Sequence, residues 1–226
     1  MLSVSEVWRW LLDPTNWEGR YGLVNLFFEH MALSFTAILI AALIAVPIGV
    51  AIGHLGKGEA VVVAISSISR AIPTMGLLFA LVMLMGIEFR DFAVTLALAI
   101  IAIPPILAGS YAGIKAIPQT ISQAAKAQGM TAKQLIWHVE LPLSATSIIG
   151  GARIAYIQVV STVVLAPLIG LGGLGFGIIQ GLALRDFAQV TASAIIIVFI
   201  TILGDRLIGL AQKLTAVKLA AVEIDR

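Results

Sequence analysis

Apolar residues run in long blocks along this chain, separated by short polar stretches. A hydrocarbon core about 30 Å thick is crossed by about 20 apolar residues in helical form. Five blocks reach that length: 31–53, 58–87, 92–114, 146–169 and 190–210. The second is too long for one perpendicular span, and "SRAIPTMG" interrupts it. Pro73 removes a backbone donor there and disfavours helical geometry at Ile72. The pattern predicts a cytoplasmic or interfacial first section, a break at 70–73 and a spanning remainder, with Arg70 near a membrane face, away from the costly bilayer centre. The expected fold is all-α: a polytopic membrane protein with about five transmembrane helices and one long polar loop, 115–142.

Composition sharpens this. Sixty per cent of the 226 residues are hydrophobic and 12% charged, against roughly 45–50% and about 25% in soluble domains. The net charge of +2 gives no reason to expect nucleic acid as a partner, and the absence of Cys excludes disulfide and thiol chemistry. The first residues lack a basic n-region, a continuous apolar h-region and a small-residue cleavage site, so they are expected to stay in the mature protein. Five spans place the termini on opposite sides. With the C-terminus inside, inner segments hold Lys57, Lys115, Lys126, Lys133, Lys213, Lys218 and Arg226, and outer ones only Arg9, Arg20, Arg90 and Arg185. The positive-inside rule selects this orientation in a cell membrane. Residues 1–30 then form an external interfacial segment bearing Trp8, Trp10, Trp17 and Tyr21, with a short helix at "SEVWRWLLD" capped by Ser5 and followed by Pro14. Residues 31–214 form the transmembrane domain, and 215–226 a cytoplasmic tail.

The 115–142 loop reads as two short helices. Pro118 suits the first helical position, Ile121, Ala124 and Ala125 make a small apolar stripe, and Gly129 provides a left-handed stop. Thr131 and Gln134 form a capping box, Met130 and Leu135 a hydrophobic staple, and Pro142 is expected to end the second helix. Such a unit either lies on lipid headgroups or docks into a partner.

The spacing points to the partner. Ala124-Ala125, Gly129 after three intervening residues, and "ELP" at 140–142 resemble the cytoplasmic EAA loop of the transmembrane subunits of binding-protein-dependent ABC importers. Three spans before the loop, two after it and a cytoplasmic C-terminus match that family as well, and the resemblance covers 31–214. It implies a coupling element seated in a groove of a separate ATPase, shaped by Gln123, Ala124, Ala125, Gly129, Met130, Thr131, Leu141 and Pro142. The family usually has Glu where this chain has Gln123, which keeps length and hydrogen bonding but gives up a charge. The resemblance further implies a second permease subunit, identical or paralogous, an external solute-binding protein, and ATP with Mg on the ATPase and no cofactor in this chain. "RAIPTMGLLFALVMLMGI", the Pro104-Pro105 pair and "GGARIAYIQVVSTVVLAPLIGLGGLGFGIIQGL" look like the permeases that take up glycine betaine, choline or carnitine. Methionine and other amino-acid importers share parts of the pattern.

Other candidates are fewer. Gly170, Gly172 and Gly175 satisfy G-x-G-x-x-G, but the preceding segment is a membrane helix where a dinucleotide fold needs a strand. With Gly173 they read as a tight external turn followed by an amphipathic piece, "FGIIQGLALRDF", serving an outer gate, a binding-protein contact or simple loop packing. Ser110, Tyr111, Gln158, Ser161 and Thr162 are polar groups within spans; each bonds back to its helix, joins helices or lines a translocation path. Gln158, Ser161 and Thr162 share one face. Arg153 either snorkels to the cytoplasmic face, the default expectation, or pairs with a carboxylate, and Asp205-Arg206 are expected to mark a membrane boundary. Pro73 and Pro104-Pro105 are expected helix breaks where the bundle bends. No metal spacing, P-loop or nucleophile–base pair is readable, so ATP hydrolysis is assigned to another polypeptide. No aromatic cluster within the spans makes a cation–π cage, which assigns high-affinity selection to the binding protein. An ATP-independent secondary transporter or channel is the alternative from another class. A scaffold without transport would leave the capped double helix unexplained.

Overall fold

The computed structural model describes residues 3–224 and, within them, the side chains of all but 68–70 and 218–224. Arg70, Lys218 and Arg226, which entered the expectations above, lie outside the described side chains. Among the described residues the chain is helical throughout, in the order α1 (Val4–Leu12), α2 (Leu23–Leu55), α3 (Glu59–Ala71), α4 (Thr74–Met85), α5 (Arg90–Lys115), α6 (Gln119–Ala127), α7 (Ala132–Leu135), α8 (Leu141–Val163), α9 (Gly175–Leu184) and α10 (Phe187–Ile224). Among the described residues, four stretches are long and apolar enough to cross a membrane: Leu23–Leu55, Ile87–Lys115, Ala132–Val163 and Phe187–Val217. The remaining apolar block is divided, as Pro73 predicts. Ile72 and Pro73 are both extended, and the 13 residues of α3 and 12 of α4 lie on either side.

The other prolines depart from expectation. α5 runs unbroken through Pro104 and Pro105, and α2 through Pro47. A proline costs one intrahelical bond, and within a membrane bundle neighbouring helices and local adjustments re-satisfy the freed groups. Pro142 does not end a helix either. A π-helical turn at Ile136–Glu140 links α7 to α8, so the second loop helix continues into the span. The wider turn realigns the carbonyls ahead of the proline ring. Pro118 caps α6 from outside, so it is not the first helical residue. At the N-terminus the cap is Ser3 instead of Ser5. Ser3 accepts from the Glu6 N–H and donates its own N–H to the Glu6 carboxylate at 2.8 Å, which holds that carboxyl below its ordinary value.

The chain divides into two compact units. The first comprises Met1–Ile38, Pro73–Ala99 and Tyr156–Gly204. Its core is Leu23, Leu26, Val160, Leu174, Ile197 and Ile200, edged by Trp10, Tyr156 and Phe176. His30 is fully buried, with Nε2 3.0 Å from the Val160 carbonyl. Gly173, at φ 108°, donates its N–H to Glu29 at 3.2 Å, and a side chain at Gly172 would collide with the same carboxylate. The predicted glycine turn is thus locked onto α2. The helix after it is apolar rather than amphipathic, with Gln180 its one polar side chain.

The second unit comprises Leu39–Ile72, Ile100–Ala155 and Asp205–Arg226. Small residues let α5 and α8 touch backbone to backbone. A Cβ at Gly151 would lie 2.5 Å from the Pro105 carbonyl oxygen, one at Gly109 2.7 Å from the Ser147 oxygen, and one at Gly113 2.8 Å from Ser144 Cβ. Without a solvent-driven force between membrane helices, such close packing of small residues is what holds them together.

Candidate coupling loop and translocation face

The loop between α5 and α8 is built by backbone geometry first. α6 ends in a Schellman motif: the Gly129 N–H donates to the Lys126 carbonyl at 2.9 Å and the Met130 N–H to that of Ala125 at 3.2 Å. Gly129 sits at φ 84°, and a Cβ there would meet nothing within 4 Å. Conformation is therefore what requires glycine, not space. The capping box follows at once, with Thr131 N–H donating to Gln134 Oε1 at 2.9 Å and Gln134 N–H to Thr131 Oγ1 at 3.3 Å. Ala125 and Leu135 are buried, whereas Gln123, Ala124, Gly129, Thr131 and Pro142 are exposed and Met130 and Leu141 half-buried. The result is a firm turn that buries two apolar side chains inward and leaves its polar and small-residue surface open.

Two polar ties fix this loop and the helices that carry it; sequence reasoning missed the first and held the second only as the alternative to snorkelling, with no partner named. Glu140, 5% exposed, takes a 2.8 Å bond with Nδ1 of His54 at the end of α2. A charge in the apolar run "IWHVELP" signals a hidden partner, because buried carboxylates are rarely alone. Arg153 does not snorkel. Its Nε and Nη2 grip both carboxylate oxygens of Asp205 on α10, the second at 2.7 Å, in the two-pronged geometry that suits a guanidinium. Gln212 adds a bond to the Thr146 carbonyl at 2.8 Å.

The polar residues within spans separate into groups. Gln158 and Ser161 are exposed on α8, with Thr162 half-buried beside them and donating back to the Gln158 carbonyl at 2.8 Å. Ser110 is fully buried, donates to the Ile106 carbonyl at 2.8 Å and packs where α2 offers Gly49. Tyr111 lies near Glu59 of α3, and its backbone sits against Gly49 of α2. Gln158, Ser161 and Thr162 thus form one accessible polar face, while Ser110 and Tyr111 sit at helix contacts of the second unit.

The loop is thus a glycine-locked double helix set between two membrane helices. Residues 37–218 match the family described as "Binding-protein-dependent transport system inner membrane component". The chain belongs to that family. It is a permease subunit of the type I ABC-importer class, and its apolar helices are those of a multi-pass membrane protein. Among curated relatives it is 30% identical to the choline transport system permease protein OpuBB of Bacillus subtilis (strain 168), over 82% of this chain and 85% of that one. It is 31% identical to the carnitine transport permease protein OpuCD of Listeria monocytogenes serotype 1/2a (strain 10403S), over 90% of each. Among solved structures, an inward-facing form of the MetNI methionine ABC transporter superposes with TM-score 0.72 over 86% of this permease and 95% of that chain. At 22% identity that likeness establishes the fold.

Proposed function

We propose that this permease forms, with a second permease subunit, the membrane path of an ATP-driven importer for quaternary ammonium osmoprotectants such as glycine betaine, choline or carnitine. The observation that carries the solute class is relatedness at 30–31% identity, over more than four-fifths of the chain, to permeases named for choline and carnitine. The methionine importers share the fold at lower identity, and a fold alone names no solute.

In this reading the N-terminus is outside and the C-terminus in the cytoplasm, and the 115–142 loop seats in a groove of the ATPase subunit. Gln123, Ala124, Gly129 and Thr131 form the exposed docking surface, while the buried Ala125 and Leu135 hold its shape. ATP and Mg bind the ATPase, which closes on binding nucleotide and opens after hydrolysis. The loop moves as a rigid lever because Gly109, Gly113 and Gly151 clamp α5 to α8 and Glu140 ties its base to α2. Its movement becomes alternating access of the path. Gln158, Ser161 and Thr162 line that path. The continuous α5 removes the Pro104-Pro105 break, which leaves the Ile72–Pro73 joint as the place for bending. The turn at Gly170–Gly175 packs at the external end, near the site where a binding protein releases solute. High-affinity selection belongs to that binding protein, and the permease holds the solute weakly.

The test is purification of the native complex. An ATPase should accompany the permease, and its hydrolysis should rise when the cognate binding protein loaded with glycine betaine is added. A permease that purifies without an ATPase, or a complex whose hydrolysis ignores every quaternary ammonium solute, contradicts the reading.

A further inference from the structure

We propose that the first unit carries a low-affinity receiving site for a zwitterion with a methylated ammonium at one end and a carboxylate at the other, in the cavity walled by Trp10, Glu18, Arg20, Tyr21 and Phe176. This rests on the solute class proposed above and gives it a place and residues outside the spans. The cavity measures about 320 Å³. That is the small end of the roughly 300–1,000 Å³ range of ligand cavities, suited to a compact osmolyte.

Aromatic residues are only 7% of this chain, yet three separate segments each send a ring to this one cavity. Trp10 comes from α1, Tyr21 from the turn before α2, and Phe176 from α9. Tyr21 and Phe176 stack with centroids 4.6 Å apart and planes 12° from parallel. The Arg20 guanidinium lies 5.9 Å from the Tyr21 centroid, so a cation already uses this ring. A trimethylammonium group has no N–H to donate and gains its stabilisation from ring faces and a nearby negative charge. The rings and Glu18 supply those. The carboxylate end takes Arg20, whose planar fork suits it. Drawing Arg20 onto a ligand carboxylate releases the Tyr21 ring to the ligand's own cation, so one resident pairing is exchanged for two. Buried Gln189 donates to Gln180 at 2.8 Å and closes the wall. Because Arg20 must leave its ring, affinity is low and release is easy.

The experiment uses the assembled transporter in lipid nanodiscs without its binding protein, and saturation-transfer NMR on the ligand. The probe is glycine betaine. Glycine keeps the carboxylate and lacks the methyl groups; choline keeps the methylated ammonium and lacks the carboxylate. Transfer should fall in the order glycine betaine, choline, glycine. Tyr21 is 61% exposed, so its truncation leaves the core intact. Tyr21→Leu should weaken glycine betaine binding about fivefold, and Tyr21→Phe, which keeps the ring, should restore it. Arg20→Gln should bring glycine betaine down to the level of choline. Wild-type transfer in both Tyr21→Leu and Arg20→Gln overturns the site, as does glycine binding as well as glycine betaine. Uptake by the wild-type transporter separates the two ideas. Glycine betaine uptake with unaffected variants removes the site alone, whereas absent uptake of every quaternary ammonium solute removes the solute class and the site with it.

Discussion

Gly150 and Gly151 are neighbours on α8 with opposite surroundings, and an alanine at each measures how tightly the coupling loop is mounted. At Gly151 the new methyl would sit 2.5 Å from the Pro105 carbonyl oxygen and 3.2 Å from Gly109 Cα, both backbone, where ordinary contact begins at 3.4 Å. No rotamer relieves this, so α5 and α8 must part by about 0.9 Å, a gap that forfeits a quarter to a half of the dispersion energy of each atom pair along the seam. Overpacking of this kind costs about 1–3 kcal/mol. At Gly150 the methyl would approach only the Gln212 side-chain amide at 3.0 Å, the end of a flexible chain, and swinging it away gives up one bond to Thr146 worth about 1 kcal/mol. Each alanine gains the same helix propensity over glycine, so that gain cancels between the variants. Gly151→Ala should therefore melt lower than Gly150→Ala, by up to about 8 °C for a net loss of up to about 2 kcal/mol at roughly 2–4 °C per kcal/mol for a chain of this size. The assay is tryptophan-fluorescence melting in one lipid nanodisc preparation at one scan rate. A Gly151→Ala protein that melts at or above Gly150→Ala refutes the close seam, and with it the rigid mounting of the loop.

Other outcomes follow from the same geometry. Gly129→Val forces a β-branched residue to φ 84°; membrane insertion should be normal, whereas ATPase retention on pull-down and solute-stimulated hydrolysis should fall. Restoring Glu at position 123 should strengthen retention if a basic ATPase residue lies opposite, which the same pull-down reads. Removing one partner of the Arg153–Asp205 pair strands the other: Asp205→Leu alone should lower the melting temperature, and Arg153→Met with Asp205→Leu should recover most of that loss in thermal melts. A reporter that works only in the cytoplasm should be active when fused after Arg226 and silent before Met1; the reverse pattern inverts the assignment of the loop to an ATPase.

The sequence carried the parts of this fold that depend on local chemistry. The apolar blocks, the break at Pro73, the left-handed Gly129 and the Thr131–Gln134 box are each written within a few adjacent residues, and each is present. What was not legible depends on neighbours distant in the chain. Pro104, Pro105 and Pro142 look like helix breaks in isolation, but local adjustments and packing neighbours keep the helices continuous, as the Ile136–Glu140 turn does ahead of Pro142. Arg153 had two readings, and only its proximity to Asp205, 52 residues on, selects between them. His54 and Glu140 carry no shared motif, and their pairing comes from helix register alone. The cap shifted from Ser5 to Ser3 because both serines precede an apolar run, and Glu6 stands three residues after Ser3 to complete the box.

We propose this chain as the membrane path of an ATP-coupled importer of quaternary ammonium solutes, driven through the 115–142 loop. Uptake of radiolabelled glycine betaine into proteoliposomes tests it most directly, using the full complex with its binding protein outside and ATP with Mg enclosed. Uptake should need ATP, be competed by choline or carnitine but not by methionine, and be lost with Gly129→Val while the complex remains in the membrane. Uptake that proceeds without ATP, or that Gly129→Val leaves at the wild-type rate, would contradict it.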